Sequence, residues 1–371
     1  MNVLERLLAV FSRKKPDVMP WFADLTYWYK AKSYKNELPS KYLGESGQIR
    51  LYRKLGCGSH EELYNLPGEV TYYGIKRINS LESFDDGTKV FEEKYSTPLG
   101  DIFGVTKFVP QSFSSAHIKY PVATKQDLRV IQYIYKNQEF KSDYAIQHDK
   151  LKKWRGIGLV SSLPPRTPFQ RMIVEWAGVT NTIMLMMKER EEFEETLQIM
   201  AEADDSIYEA VCESPAPAVY FGENITSDVI SPSIFKRYHM PYYKKRVNQL
   251  HAAGKFIYVH IDGTLRGVLP LIEFTNIDCA QSITPAPVGD INVEKLREAA
   301  GQNIILWGGL PGVYFSHLYP EKNLRQMALK VIKYHLEGYK FIMGVADQVP
   351  PDGDINRVKN ITEIIEKHAR Y

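Results

Sequence analysis

The chain has 371 residues, 44% of them hydrophobic and 25% charged, enough for one barrel of about 250 residues with sizeable insertions. Its 47 basic and 44 acidic side chains are spread along the sequence, and a net charge of +3 gives no electrostatic basis for nucleic-acid binding. Three widely separated cysteines, Cys57, Cys212 and Cys279, argue against a disulfide scaffold or a Cys-x-x-Cys metal clip and fit a reducing cytoplasm; no apolar run reaches the roughly 18 residues of a membrane span.

The first eleven residues read as an amphipathic helix, with Arg13-Lys-Lys15 as its solvated end. Next, Trp21-Phe-Ala-Asp24 is a first strand whose polar end places Asp24 toward a cavity, with Trp21, Tyr27 and Trp28 as aromatic neighbours. Asp24 is a candidate catalytic group, and capping of the next helix is its structural alternative. Residues 30–150 hold a helix over 42–55 and a β-rich part at 69–74 and 88–95, expected to elaborate the main domain as an insertion or lid. From about residue 150 the strand and helix rhythm is regular. A strand over 154–161 precedes helices over 169–177, 181–187 and 189–212, and the methionines around Leu185 read as core packing.

Residues 218–224 form a strand ending in Glu223 and Asn224, after which Ser231-Pro232 opens a helix. The apolar run 256–261 is a buried strand ending in His260 and Asp262, two residues apart and therefore on one side. Further strands cover 276–280, 303–307, broken by Gly308-Gly309, and 339–345, ending in Asp347 ahead of Pro350-Pro351. Strands alternating with helices predict one domain, a TIM (β/α)8 barrel with an N-terminal α+β elaboration. In such a barrel the strand ends share one mouth, so Glu223, His260, Asp262 and Asp347 are expected to meet there as acid, base or metal ligands, with Asn224 and Trp307 beside them as substrate contacts.

The ordered set Glu223-Asn224, Ser231-Pro232, Pro241-Tyr-Tyr243, His260-Ile-Asp262-Gly263, Thr284-Pro-Ala-Pro287, Trp307-Gly-Gly309 and Gly344-Val-Ala-Asp347 resembles the uroporphyrinogen decarboxylase superfamily, and within it the cobalamin-dependent methyltransferases. The first strand lacks the arginines with which porphyrin decarboxylases hold substrate carboxylates. The thiol methyltransferases of the superfamily hold zinc with His-x-Cys and a later Cys, where this chain has His260, Asp262 and Asp347. A zinc site of histidine and carboxylates is harder and suits an oxygen substrate.

The resemblance thus implies an O-demethylating enzyme. It would move methyl from a small methoxylated, aromatic compound to the cobalt of a separate corrinoid protein, since the chain has no Asp-x-His-x-x-Gly cobalt-ligand motif of its own. Zinc, held by His260, Asp262, Asp347 and Glu223, is the expected metal, and protonated carboxylates are the alternative acid. Transfer from methylcobamide to a thiol or pterin, cofactor-free decarboxylation centred on Asp24, and a noncatalytic binding barrel are the rival readings. A homodimer is one association state left open.

Overall fold

The computed structural model describes residues 1–83, 88–110 and 113–371. They fall into two compact units, one of Met1–Asn65, Tyr144–Leu163 and Ser214–Tyr371, the other of Leu66–Asp143 and Pro164–Glu213. The insertion expected over 30–150 therefore begins later, and a second excursion over 164–213 joins it. Within the expected insertion, residues 84–87 and 111–112 lie outside the described residues.

The first unit is built on eight parallel strands: β1 (Trp21–Phe22), β2 (Tyr64–Asn65), β3 (Ser161–Ser162), β4 (Ala218–Ile225), β5 (Phe256–Ile261), β6 (Cys279–Ile283), β7 (Ile305–Pro311) and β8 (Phe341–Ala346). From β2 to β8 each strand pairs with the next in sequence, and β1 pairs with β8. The remaining gap closes where Phe22 bridges Gly58 and Ser59 bridges Gly158, so the sheet curls into a (β/α)8 barrel. β5, β6 and β8 are almost continuously buried because parallel strands are covered on both faces.

Alternation decides what fills the barrel. Phe22, Tyr220, Tyr258, Trp307 and Ile342 form one buried cluster with Leu7, Val10 and Phe11. These last three share one face of the helix Val3–Phe11, which Asn2 and Glu5 start with a reciprocal capping box. Large interior rings need small neighbours: a Cβ on Gly58 would lie 2.4 Å from the Phe22 ring, and one on Gly344 would lie 2.8 Å from Trp307.

Two sequence expectations change here. Gly308 and Gly309 do not break their strand, which pairs with β8 as far as Pro311; both have positive φ, and glycine adopts it without a Cβ clash. Much of the strand expected over 154–161 is instead the end of the helix Ala145–Lys153 and its exit, with Trp154 Nε1 donating to Glu45 at 3.1 Å.

The second unit contains a four-stranded antiparallel sheet (Lys76–Ser83, Lys89–Thr97, Gly100–Val109, Ser114–Lys119) and a two-stranded ribbon (Gly68–Tyr72, Gln138–Ser142). Its helices include Lys125–Lys136, Gly178–Lys188 and Arg190–Ala203. The methionine cluster is not core: Met184 and Met187 are exposed and Met186 is half-buried, because Gly178, Thr182 and Leu185 take the inner helical face. The helix expected over 189–212 is interrupted at Asp204, whose carboxylate is fully buried 2.5 Å from Arg171. No helix among the described residues is long and apolar enough to cross a membrane.

Candidate active site

Phe22 faces the barrel interior, so Trp21 faces outward, where its Nε1 donates to Thr362 Oγ1 at 3.1 Å on the C-terminal helix Ile355–His368. Trp28 is likewise committed, donating to the Gly353 carbonyl at 2.8 Å. Asp24 is buried just beyond β1. The Thr26 N–H donates to its Oδ1 at 2.7 Å, so the carboxyl caps the following helix start and also takes part in the charge cluster described next. The segment after β8 is laced to this corner: Val349 N–H donates to the Asp24 carbonyl at 2.9 Å, and Tyr27 N–H to Gln348 Oε1 at 3.1 Å.

Three carboxyls act on one another here. Burial raises Asp24 well above the carboxylate range, and the charges of Glu61 and Asp347 raise it further against the Thr26 hydrogen bonds. Burial and Asp347 push Glu61 to about 7, opposed by a hydrogen bond from Tyr64. Asp347 follows β8 with φ of 67°, anchored by its N–H donating to Ser282 Oγ at 2.7 Å. Its side chain reaches solvent, yet the protein around it raises its pKa; His260 opposes the rise and Asp262 adds to it. Half-buried Tyr27 is raised first by burial and then by the charges of Asp347, Asp24, Asp262 and Glu61.

β5 contributes the basic partner. Tyr258 and His260 alternate inward, Tyr258 stacking on Tyr220 with ring centroids 4.8 Å apart. Buried His260 sits opposite Gln281 of β6, with Nδ1 2.6 Å from Gln281 Oε1. Because that oxygen only accepts, Nδ1 donates to it, and Nε2 is the ring nitrogen left over. Asp262, just past the strand, accepts the Gly263 N–H at 2.8 Å.

Glu223 and Asn224 fall where β4 slips register between Phe221 and Ile225. Glu223 is buried and Asn224 exposed; Glu223 is not among the charges that act most strongly on Asp24, Glu61 or Asp347. Trp307 lies within the barrel, its ring centroid 4.5 Å from that of His60. Among the described residues no three His, Cys, Asp or Glu side chains converge in an arrangement that holds a metal ion. The set His260, Asp262, Asp347 and Glu223 therefore does not fit zinc as it stands, although the held Nδ1 of His260 is the orientation a nitrogen ligand needs.

Glu61 and its neighbour His60 were not anticipated. His60 is buried against Trp307, Tyr258 and Tyr220, and burial and then His260 drive it down to about 3. It is neutral at pH 7, so its 3.2 Å approach to Glu61 is not an ion pair. Their signal was two ionisable residues behind Gly-Cys-Gly-Ser, too short and too polar to read as the second barrel strand.

An eight-stranded parallel barrel with buried acids and a histidine gathered at its strand ends is the architecture of the β/α-barrel enzymes. The chain belongs to the uroporphyrinogen decarboxylase (URO-D) family, whose model matches residues 159–368. Among solved structures, a methyltransferase from Methanosarcina mazei is similar over 99% of this chain and 99% of that one, with a TM-score of 0.61 and 12% identity, a likeness of fold alone. A β-amylase catalytic domain from Paenibacillus polymyxa, 14% identical over 67% of this chain and 56% of that one, has a TM-score of 0.18 and carries no argument. No curated protein matches the sequence significantly.

Proposed function

We propose that the barrel is a methyltransferase that takes methyl from a methoxylated aromatic compound and passes it to the cobalt of a separate corrinoid protein. The observation that carries this reading is the group Asp24, Glu61 and Asp347, near enough for their charges to act on Tyr27 and each raised first by burial. An ether gives up its methyl group only when its oxygen leaves as a stable species. The docked corrinoid protein supplies the electron pair that forms the new bond to the methyl carbon. As the methyl–oxygen bond breaks, Asp24 or Glu61 gives its proton to the departing oxygen, which leaves as a neutral phenol. Tyr27 orients that oxygen, and His260, held at Nδ1 by Gln281, offers Nε2 to the substrate. A zinc ion would polarise the same oxygen, but only if Asp262, Asp347 and Glu223 moved onto His260, and no step here depends on it.

The electrostatics also favour a neutral substrate over a porphyrin. The charges that act most strongly on the cluster are acidic; Lys30 and His260 are the basic exceptions, and Lys30 is paired with Glu62 at 2.8 Å. Such a mouth offers a polycarboxylate few cationic partners. The test is to mix the protein with neutral methoxyarenes and a reduced corrinoid protein and follow the spectral change from cob(I)alamin to methylcobalamin. Conversion with neutral methoxyarenes and little with methoxybenzoates supports the reading. Decarboxylation of a porphyrinogen with no methyl transfer from any methoxyarene contradicts it.

A further inference from the structure

The second unit holds a cavity of its own, about 370 Å³, with walls drawn entirely from residues 70–138 and 165–207. That is far beyond a packing defect in a protein interior and lies within the range of small-molecule sites. Aromatic rings dominate it. Tyr95 lies edge-on to Tyr72, with centroids 6.2 Å apart, and 5.6 Å from Trp176, while Tyr135 meets Trp176 edge-on at 6.2 Å. Gly104 and Thr106, on the sheet side, leave the space unfilled.

Polar atoms in these walls divide into two kinds. The charged groups are already matched: Arg77 pairs with Glu93, Arg166 with Glu175 at 2.8 Å, and Arg171 with Asp204. The Tyr135 hydroxyl accepts from Trp176 Nε1 at 3.1 Å. By contrast, the hydroxyls of Tyr72 and Tyr95 make no hydrogen bond to a described residue; burial and nearby charges alone act on them. Tyr95 is 4% exposed, and its hydroxyl meets the open space of the cavity, where it is available to a guest.

The ring faces narrow the choice of guest. Arg77 lies over Tyr95 at 5.7 Å and Arg171 over Tyr135 at 5.2 Å, so two of the faces that would cage a cation already hold one. We infer that this cavity is a second binding site, for a neutral arene carrying oxygen substituents, whose ring packs among Tyr72, Tyr95 and Trp176 and whose oxygens bond the two tyrosine hydroxyls. The inference shares its ligand class with the proposed function but rests on the second unit alone.

The test is calorimetric titration of the full chain with 2-methoxyphenol, without any corrinoid protein, so that failure of methyl transfer leaves its result readable. Wild type binds, and Tyr95→Phe, which keeps the ring and removes the hydroxyl, weakens binding about fivefold, the scale of one hydrogen bond. Tyr72→Phe does the same, and serves if Tyr95→Phe fails to fold. Methoxycyclohexane and tetramethylammonium, matched for oxygen and for cationic charge, bind at least tenfold more weakly than the arene. Absence of binding, wild-type affinity in both tyrosine variants, or equal affinity for either control overturns the inference.

Discussion

The barrel mouth and the cavity of the second unit are built from similar residues, tyrosines, carboxylates and a few cations, yet they treat their acids in opposite ways. In the second unit each acid named above has a guanidinium: Glu93 has Arg77, Glu175 has Arg166 and Asp204 has Arg171. At the mouth Asp24, Glu61 and Asp347 have one another, and their pKa values rise together. A paired acid stays ionised and makes a wall. An acid surrounded by acids keeps a proton near neutral pH and becomes a reagent.

The contrast can be broken from either side. The largest effect belongs to Arg171→Met, which strands the fully buried Asp204 without its guanidinium; a loss of about 3–5 kcal/mol is expected in denaturant unfolding. Asp24→Asn keeps the shape and removes the transferable proton. Methyl transfer should fall by about a hundredfold, the scale of a lost general acid, with the thermal midpoint no lower than wild type. Glu61→Gln acts mainly through pH. A folded-state pKa raised from 4.5 to about 7 contributes stability that is present below pH 4.5 and lost as pH rises through about 7. The glutamine variant has no such loss, so its melting temperature should exceed wild type by a few degrees at pH 8 and by less at pH 5. The smallest effect is expected for Arg77→Ala, whose pair with Glu93 is partly solvated: at most about 1 kcal/mol, shrinking in salt.

The barrel was legible because its strands after residue 218 are apolar on both faces and end in polar residues, a pattern that survives without any contact information. Asp24, His260 and Asp347 were legible for the same reason. The site's other half was not. Glu61 and His60 precede a strand of two residues, Tyr64–Asn65, which pairs with β3 and has no periodicity of its own. Trp21 misled because one strand position decides inward from outward, and Phe22 holds the inner one. The excursion over 164–213 looked like barrel helices since amphipathic helices carry no mark of the core they serve.

The central claim is that the mouth keeps a carboxyl proton at neutral pH, and it can be measured without any substrate. Protein labelled with 13C at glutamate side chains is titrated by NMR from pH 4 to 9, with Glu61→Gln identifying the resonance of interest. The Glu61 carboxyl carbon should titrate with a midpoint near 7, and Asp347→Asn should shift that midpoint downward by removing an acidic neighbour. A Glu61 resonance that finishes titrating by about pH 5, like an ordinary glutamate, would contradict the account.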